Sequence, residues 1–200
     1  FTTDQFNDQL KTKVEEDLVV LERIFDLLRV VNPERDDKLI QLKRELKNIL
    51  KKQQKVLIFT QFSTTANYIY ENICNEFEKV AVASGESKDI VRIAQRFSPV
   101  SYKDIEIAKK DEIDVLISTD VLSEGANLQG CNTVINFDLH WNPVRLIQRL
   151  GRVDRVSTKH GQIFNYNFFP EREVEARLGL RERVESRIRD IQKSLGEDAK

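Results

Sequence analysis

The chain has 200 residues, with 32 Lys and Arg against 33 Asp and Glu and a formal net charge of −1. That length permits one domain of ordinary size with helical extensions, and 40% hydrophobic with 32% charged residues fits a globular chain with long exposed helices. The balanced charge counts against a role in coating polyanions, so any nucleic-acid surface must be local.

Residues 4 to 30 predict a helix, because Val14, Leu18, Leu21, Phe25 and Leu28 recur at three- and four-residue steps. Asn32-Pro33 ends it. A second helix is predicted over 36 to 50, with Leu39, Leu42, Leu46 and Ile49 or Leu50 on its apolar face. Both read as scaffold helices packed on a core. From Lys55 strands alternate with helices. Val56-Leu57-Ile58-Phe59 suits a buried parallel strand. Ser63 can cap a helix from 64 to 78, Val80-Ala81-Val82 is the next strand, and a helix over 87 to 97 stops at Ser98-Pro99. A shorter helical stretch over 101 to 110 leads into the strand Asp114-Val115-Leu116-Ile117. Thr133 to Phe137 and Ile163 to Phe169 complete the strands, with Pro170 as a stop. From Glu171 the chain returns to helix, with Val184, Ile188, Ile191 and Leu195 in register. The alternation predicts an α/β layered fold with a mostly parallel sheet.

Cys74 and Cys131 are too few for a disulfide framework and read as small buried residues of an intracellular chain. With His140 and His160 they show no zinc-ligand spacing, so no metal site built from this chain alone is expected. No stretch is apolar for long enough to span a bilayer, and no signal peptide opens the sequence. The start at Phe1-Thr2-Thr3 and the absence of methionine read as a piece of a longer protein.

The most informative segment runs from Asp138 to Arg155. Asn142 suits a helix N-cap and Pro143 the first helical position. A helix wound from there puts Gln148, Arg152 and Arg155 on one face and Leu146, Leu150 and Val153 on the other. Two guanidinium groups on one face make phosphate the natural target. In parallel α/β sheets, ligands gather at the C-terminal ends of the strands. Three loops fall there: Thr60-Gln61-Phe62, the stretch from Ser118 to Gln129, and Asp138-Leu139-His140-Trp141.

Gln148-x-x-Gly151-Arg152-x-x-Arg155 after Trp141-Asn142-Pro143 resembles the last motif of superfamily-two helicases and translocases. The Asp138-x-x-Trp141-Asn142-Pro143 approach resembles their Swi/Snf-related branch. Arg96 to Pro99, Leu122 to Gln129 and Gly151 to Arg155 look closest to its bacterial members, the RNA-polymerase-associated ATPases among them. The resemblance covers roughly residues 38 to 170. It implies a RecA-like second lobe over 51–170, a helical lead-in over 1–50 and a C-terminal helix over 171–200.

The same resemblance assigns roles. Arg152 and Arg155 would be arginine fingers on ATP, with Gln148 orienting the nucleotide or the facing lobe. Gly125 would let the backbone approach the nucleotide, and Asn127 stands where relatives often place an Asp that holds the ribose hydroxyls. Thr119, with Ser118 beside it, would touch the nucleic-acid backbone. Gln61 would lie near nucleic acid or the lobe interface, or else stabilise its turn. Asp154 would pair with a neighbouring Arg. Trp141 is either a wedge near the duplex or a packing post before the helix.

No Gly-x-x-x-x-Gly-Lys-Ser/Thr occurs, so the cradle for the β- and γ-phosphates is missing. Asp111-Glu112-Ile113-Asp114 imitates a magnesium-holding box but precedes its strand, and reads as a solvated turn. Ser84-Gly85-Glu86-Ser87 reads as a loop after a strand. The expected whole is half an ATP site in a DNA translocase. Mg²⁺ would be held mainly by an N-terminal ATPase lobe of the same protein. The partners would be DNA, duplex by resemblance, and a DNA-bound protein cargo, without a membrane, in a cytoplasmic and nucleoid-associated setting. A strand-separating DNA or RNA helicase lobe and an inactive docking module are the alternatives.

Overall fold

The computed structural model describes residues 8–197 except 53, 123–124, 141, 156–157 and 159. The chain divides into two compact units, residues 1–42 and 43–200. In the first, α1 (Asp8–Leu28) forms where the periodicity places it. Its stripe is not buried, however: Val14, Leu18, Leu21, Phe25 and Leu28 are each more than half exposed. The scaffold reading of α1 is therefore corrected, because periodicity reveals an apolar face but not what covers it.

Helix α2 (Asp37–Leu50) matches its expectation. Asp36 accepts from the Leu39 amide at 3.0 Å, which satisfies one of the helix's orphan donors. Leu39, Leu42, Leu46 and Ile49 are all buried. In the second unit Lys43 and Lys47 reach Glu76 at 3.5 and 2.5 Å. The Lys47 hydrogen bond is the largest cause holding the Glu76 carboxyl below its usual range.

The second unit is built on a five-stranded parallel sheet in the order β2-β3-β1-β4-β5. The strands are β1 (Val56–Phe59), β2 (Val80–Ala83), β3 (Val115–Ser118), β4 (Thr133–Asn136) and β5 (Phe164–Asn167). The three central strands β1, β3 and β4 are buried at every position, as unbroken apolar runs in a doubly covered parallel sheet require. Register aligns Phe59 with Ser118 and Asn136, so these three side chains share one face at the C-terminal ends of the strands.

That face carries a core of Leu57, Phe59, Leu116 and Val134 packed with Ala94 and Phe97 of α4 (Ile90–Phe97) and with Val153. Ala66, Ile69 and Ile73 of α3 (Ser63–Ile73) are buried outside this cluster, and α3 packs on β2 and β3. The sheet is thus covered on both faces, a RecA-like α/β arrangement. Lys55 fastens the entry to β1 by donating to the Phe97 carbonyl at 2.9 Å and to Glu112 at 2.7 Å. Cys131 is fully buried beside it, and burial pushes its thiol up to about 12. Cys74 is half-buried.

Several boundaries differ from the sequence reading. Ser63 is the first residue of α3 rather than its cap; Phe62 takes the cap position with no side-chain bond, and the helix ends at Ile73. Helix α4 starts at Ile90 because Asp89 caps it, accepting from the Arg92 amide at 2.8 Å. In place of a helix over 101 to 110 there are two single turns of 3₁₀ helix, Pro99–Ser101 and Lys109–Asp111. The final helix is split into α6 (Arg172–Leu178) and α7 (Leu180–Glu197) by Gly179, whose φ of +57° places it in the left-handed region. The side chains of Ile188, Ile191 and Leu195 lie outside the described residues. Among the described residues, no helix is long and apolar enough to cross a membrane.

Candidate nucleotide and nucleic-acid site

Asn142 caps α5 (Pro143–Leu150) as its sequence requires: its side-chain oxygen accepts from the Val144 amide at 3.1 Å, and Pro143 takes the first turn. The helix stops at Leu150, however, short of the two arginines. Past it the Arg152 amide donates to the Arg149 carbonyl at 3.2 Å and the Val153 amide to the Leu150 carbonyl at 3.0 Å. Such three-residue bonds tighten the last turn of a helix and end it. Arg152 therefore sits in a turn and Arg155 beyond it. Val153 between them is fully buried and pins the turn to the core.

The loop after β3 comes back to this turn. The Leu128 amide donates to the Arg152 carbonyl at 3.0 Å, and Arg155 Nη2 donates to the Ala126 carbonyl at 3.4 Å. Gly125, Asn127, Arg152 and Arg155 are thus brought into one neighbourhood. Gly125 has φ +81°, and a Cβ built there meets nothing within 4 Å; the glycine serves backbone conformation, not space. The Asn127 side-chain oxygen accepts from the Gln129 amide at 3.4 Å, a local turn, and its backbone N–H donates to the Tyr102 hydroxyl, 25 residues away in sequence, at 3.4 Å. Arg152 folds back, its Nε donating to the Gln148 carbonyl at 3.3 Å. Asp154 is exposed, and no ion pair joins it to Arg152 or Arg155 among the described residues. The ion pair formed by an arginine of this segment joins Arg149 to Asp120 instead.

On the other side of the strand ends, the Thr60 hydroxyl donates to the Asp138 carboxylate, which also accepts from the Gln61 amide at 3.3 Å. Gln61 is therefore held through its backbone. Ser118 is fully buried and its hydroxyl donates to the Thr119 carbonyl at 2.6 Å, so it presents nothing to a strand. Thr119 is also buried, though not fully, and its amide is committed to the Ala83 carbonyl at 3.0 Å, so its hydroxyl is the group left to face a strand. Trp141 lies outside the described residues. The Asn142 amide donates to His140 Nδ1 at 2.9 Å, and burial lowers the His140 pKa.

Matches with known proteins place the chain in a family. Residues 37–157 match the helicase conserved C-terminal domain. The chain belongs to that family. It is 34% identical over 131 residues to the uncharacterized ATP-dependent helicase YqhH of Bacillus subtilis, across 65% of this chain and 21% of that protein. It is 30% identical over 112 residues to the RNA polymerase-associated protein RapA of Serratia proteamaculans, across 56% of this chain and 11% of that protein. The helicase lobe thus spans about a fifth or less of the length of these relatives. Its fold is similar to the C-terminal part of the Fun30 ATPase domain, with a TM-score of 0.56 at 22% identity, covering 78% of this chain and 49% of that one.

One residue central to the helicase lobe was missed in the sequence. Arg149 is fully buried. Its Nε donates to Asp120 at 2.7 Å, and Nη1 to the Asn136 side chain at 3.2 Å and to the Asp138 carbonyl at 3.3 Å. The guanidinium carbon lies 5.0 Å from the centre of the Phe59 ring, within cation–π range. A signal was present: on a continuous helix Arg149 would follow Leu146 by three residues and precede Val153 by four, among the apolar positions. Phe62, more than half exposed directly after Gln61, was also left without a role.

Proposed function

We propose that this chain is the second lobe of a Swi/Snf-related ATPase that translocates on duplex DNA, and that it carries half of the ATP site. The observation that supports this most is the joining of the Arg152–Arg155 turn to the Gly125–Asn127 loop through the Leu128 amide and the Ala126 carbonyl. ATP would supply the phosphoanhydride bond whose hydrolysis drives the cycle. The residues present fit that ligand. Among the described residues, Arg152 commits Nε and Arg155 commits Nη2 to backbone carbonyls, and their remaining donors suit phosphoryl oxygens.

When the lobes close, Arg152 and Arg155 would be held against the charge that builds on the transferred phosphoryl group, a contribution of about 10³–10⁵ in rate for such arginines. Gly125 and Asn127 would border the nucleotide, with Gln148 near the lobe interface. Thr119 would contact the DNA backbone through its hydroxyl, a positioning contact without sequence preference; Gln61 borders the same strand ends. Mg²⁺ is assigned to the facing lobe, because Asp120 here is engaged by Arg149 and Glu112 by Lys55. Opening and closing of the two lobes would step the protein along DNA, displacing a DNA-bound protein in a cytoplasmic, nucleoid-associated setting.

The test compares ATP turnover by the 200-residue chain with turnover by the full-length protein and its Arg152→Ala variant. The chain alone is expected to give none, and Arg152→Ala to lower full-length turnover by about 10³ or more. Turnover by the isolated chain, or an active Arg152→Ala protein, would refute the half-site.

A further inference from the structure

We propose that Arg149 is a positioning residue that couples the nucleic-acid-facing strand ends to the arginine turn; the inference rests on the translocase reading above. Its guanidinium bonds three residues on two separate segments, the one that follows β3 and the end of β4. Asp120, its ion-pair partner at 2.7 Å, is the residue immediately after Thr119. The Asp138 carbonyl, 3.3 Å from Nη1, belongs to the residue whose carboxylate grips Thr60 and Gln61. Asn136, 3.2 Å from Nη1, passes the network to the sheet edge by donating to Asn165 and Asn167 at 3.0 and 2.8 Å.

On its main-chain side the same residue anchors the other half of the site. The Arg149 carbonyl accepts from the Arg152 amide at 3.2 Å, so a shift of the Arg149 backbone carries Arg152 with it. The side chain is sealed against water on the Phe59 ring. A buried, forked set of bonds of this kind has few alternative geometries. A displacement of Thr119 by a bound strand would therefore reach Arg152 through Asp120 and Arg149, without either arginine of the turn touching DNA.

Arginine is required here for its shape. Lysine keeps the charge but presents a single ammonium, which cannot serve Asp120, Asn136 and Asp138 from fixed directions. Removing the side chain outright strands the carboxylate and two acceptors, and breaking a buried pair is strongly destabilising. Arg149→Ala therefore risks misfolding. Arg149→Lys and Asp120→Asn are the informative variants, because each retains the volume.

The experiment measures, in the full-length protein, ATP turnover without nucleic acid and with saturating duplex DNA, together with the ATP KM and thermal unfolding. For Arg149→Lys and Asp120→Asn the expected result is basal turnover and KM within about threefold of wild type, with stimulation by duplex reduced about tenfold or more. The double variant Arg149→Lys/Thr119→Ala should stimulate no worse than the weaker single variant, the non-additivity of residues acting in one chain of contacts. Basal and stimulated turnover falling by the same factor, or no change in either, would overturn the coupling role; so would factors that multiply in the double variant. A wild-type protein that hydrolyses ATP but ignores every nucleic acid would refute the translocase reading first, in an arm of its own, and leave Arg149 nothing to couple.

Discussion

Gly125→Ala is the sharpest probe of the loop that borders the arginine turn. Its φ of +81° is a conformation that L side chains rarely adopt, yet a Cβ built there meets nothing within 4 Å. The cost is therefore backbone strain alone, about 1–2 kcal/mol for an L-residue in the left-handed region. Against it stands a gain of about 0.4–1 kcal/mol from restricting the unfolded chain. The net destabilisation is about 1 kcal/mol, or roughly 2–4 °C in Tm for a chain of this size. Gly125→Asn should cost less, since asparagine enters this region readily. Thermal and urea unfolding of the three proteins measures this. In the full-length protein Gly125→Ala should also raise the ATP KM, because the adjacent Ala126 carbonyl holds Arg155. An alanine variant as stable as wild type, or an asparagine variant more damaged than alanine, would refute the reasoning.

Three other outcomes are expected. Arg155→Ala should cut full-length turnover by about 10³ or more with little change in duplex affinity, whereas Thr119→Ala should weaken stimulation by DNA and keep basal hydrolysis; steady-state kinetics beside a binding titration separate the two. Burial pushes the Cys131 thiol up to about 12, so at pH 8 it stays protonated, whereas an ordinary thiol is partly thiolate. A thiol reagent should therefore modify Cys74 quickly and Cys131 only after unfolding, a difference read by mass spectrometry. Asn142→Ala should lower stability by about 1 kcal/mol, since α5 has only eight residues and Asn142 caps it; a denaturation midpoint equal to wild type would contradict the cap.

The strands were legible to within a residue or two in most cases, because β1, β3 and β4 are apolar runs in a sheet covered on both faces. The α5 cap was legible for a local reason, the pairing of Asn142 with Pro143. What escaped the sequence was long-range. Gln148, Arg152 and Arg155 read as a helical face, but the chain tightens at Gly151, and tertiary bonds to the 126–128 loop place the arginines instead. Arg149 looked like any surface arginine until Asp120, 29 residues earlier, and Asn136 were seen to receive it. Ser118 read as a loop donor and proved to be the last residue of a buried strand. The α1 stripe read as core-facing and stays exposed.

Under the proposed function, this lobe would work within a nucleic-acid-driven ATPase and complete its ATP site with arginines. The most direct measurement is ATP turnover by the full-length protein with duplex DNA, single-stranded DNA and RNA, each at the same salt concentration. Selective stimulation by duplex DNA, lost in Arg155→Ala, is the predicted result. Stimulation by single strands alone, or turnover indifferent to all three, would contradict it.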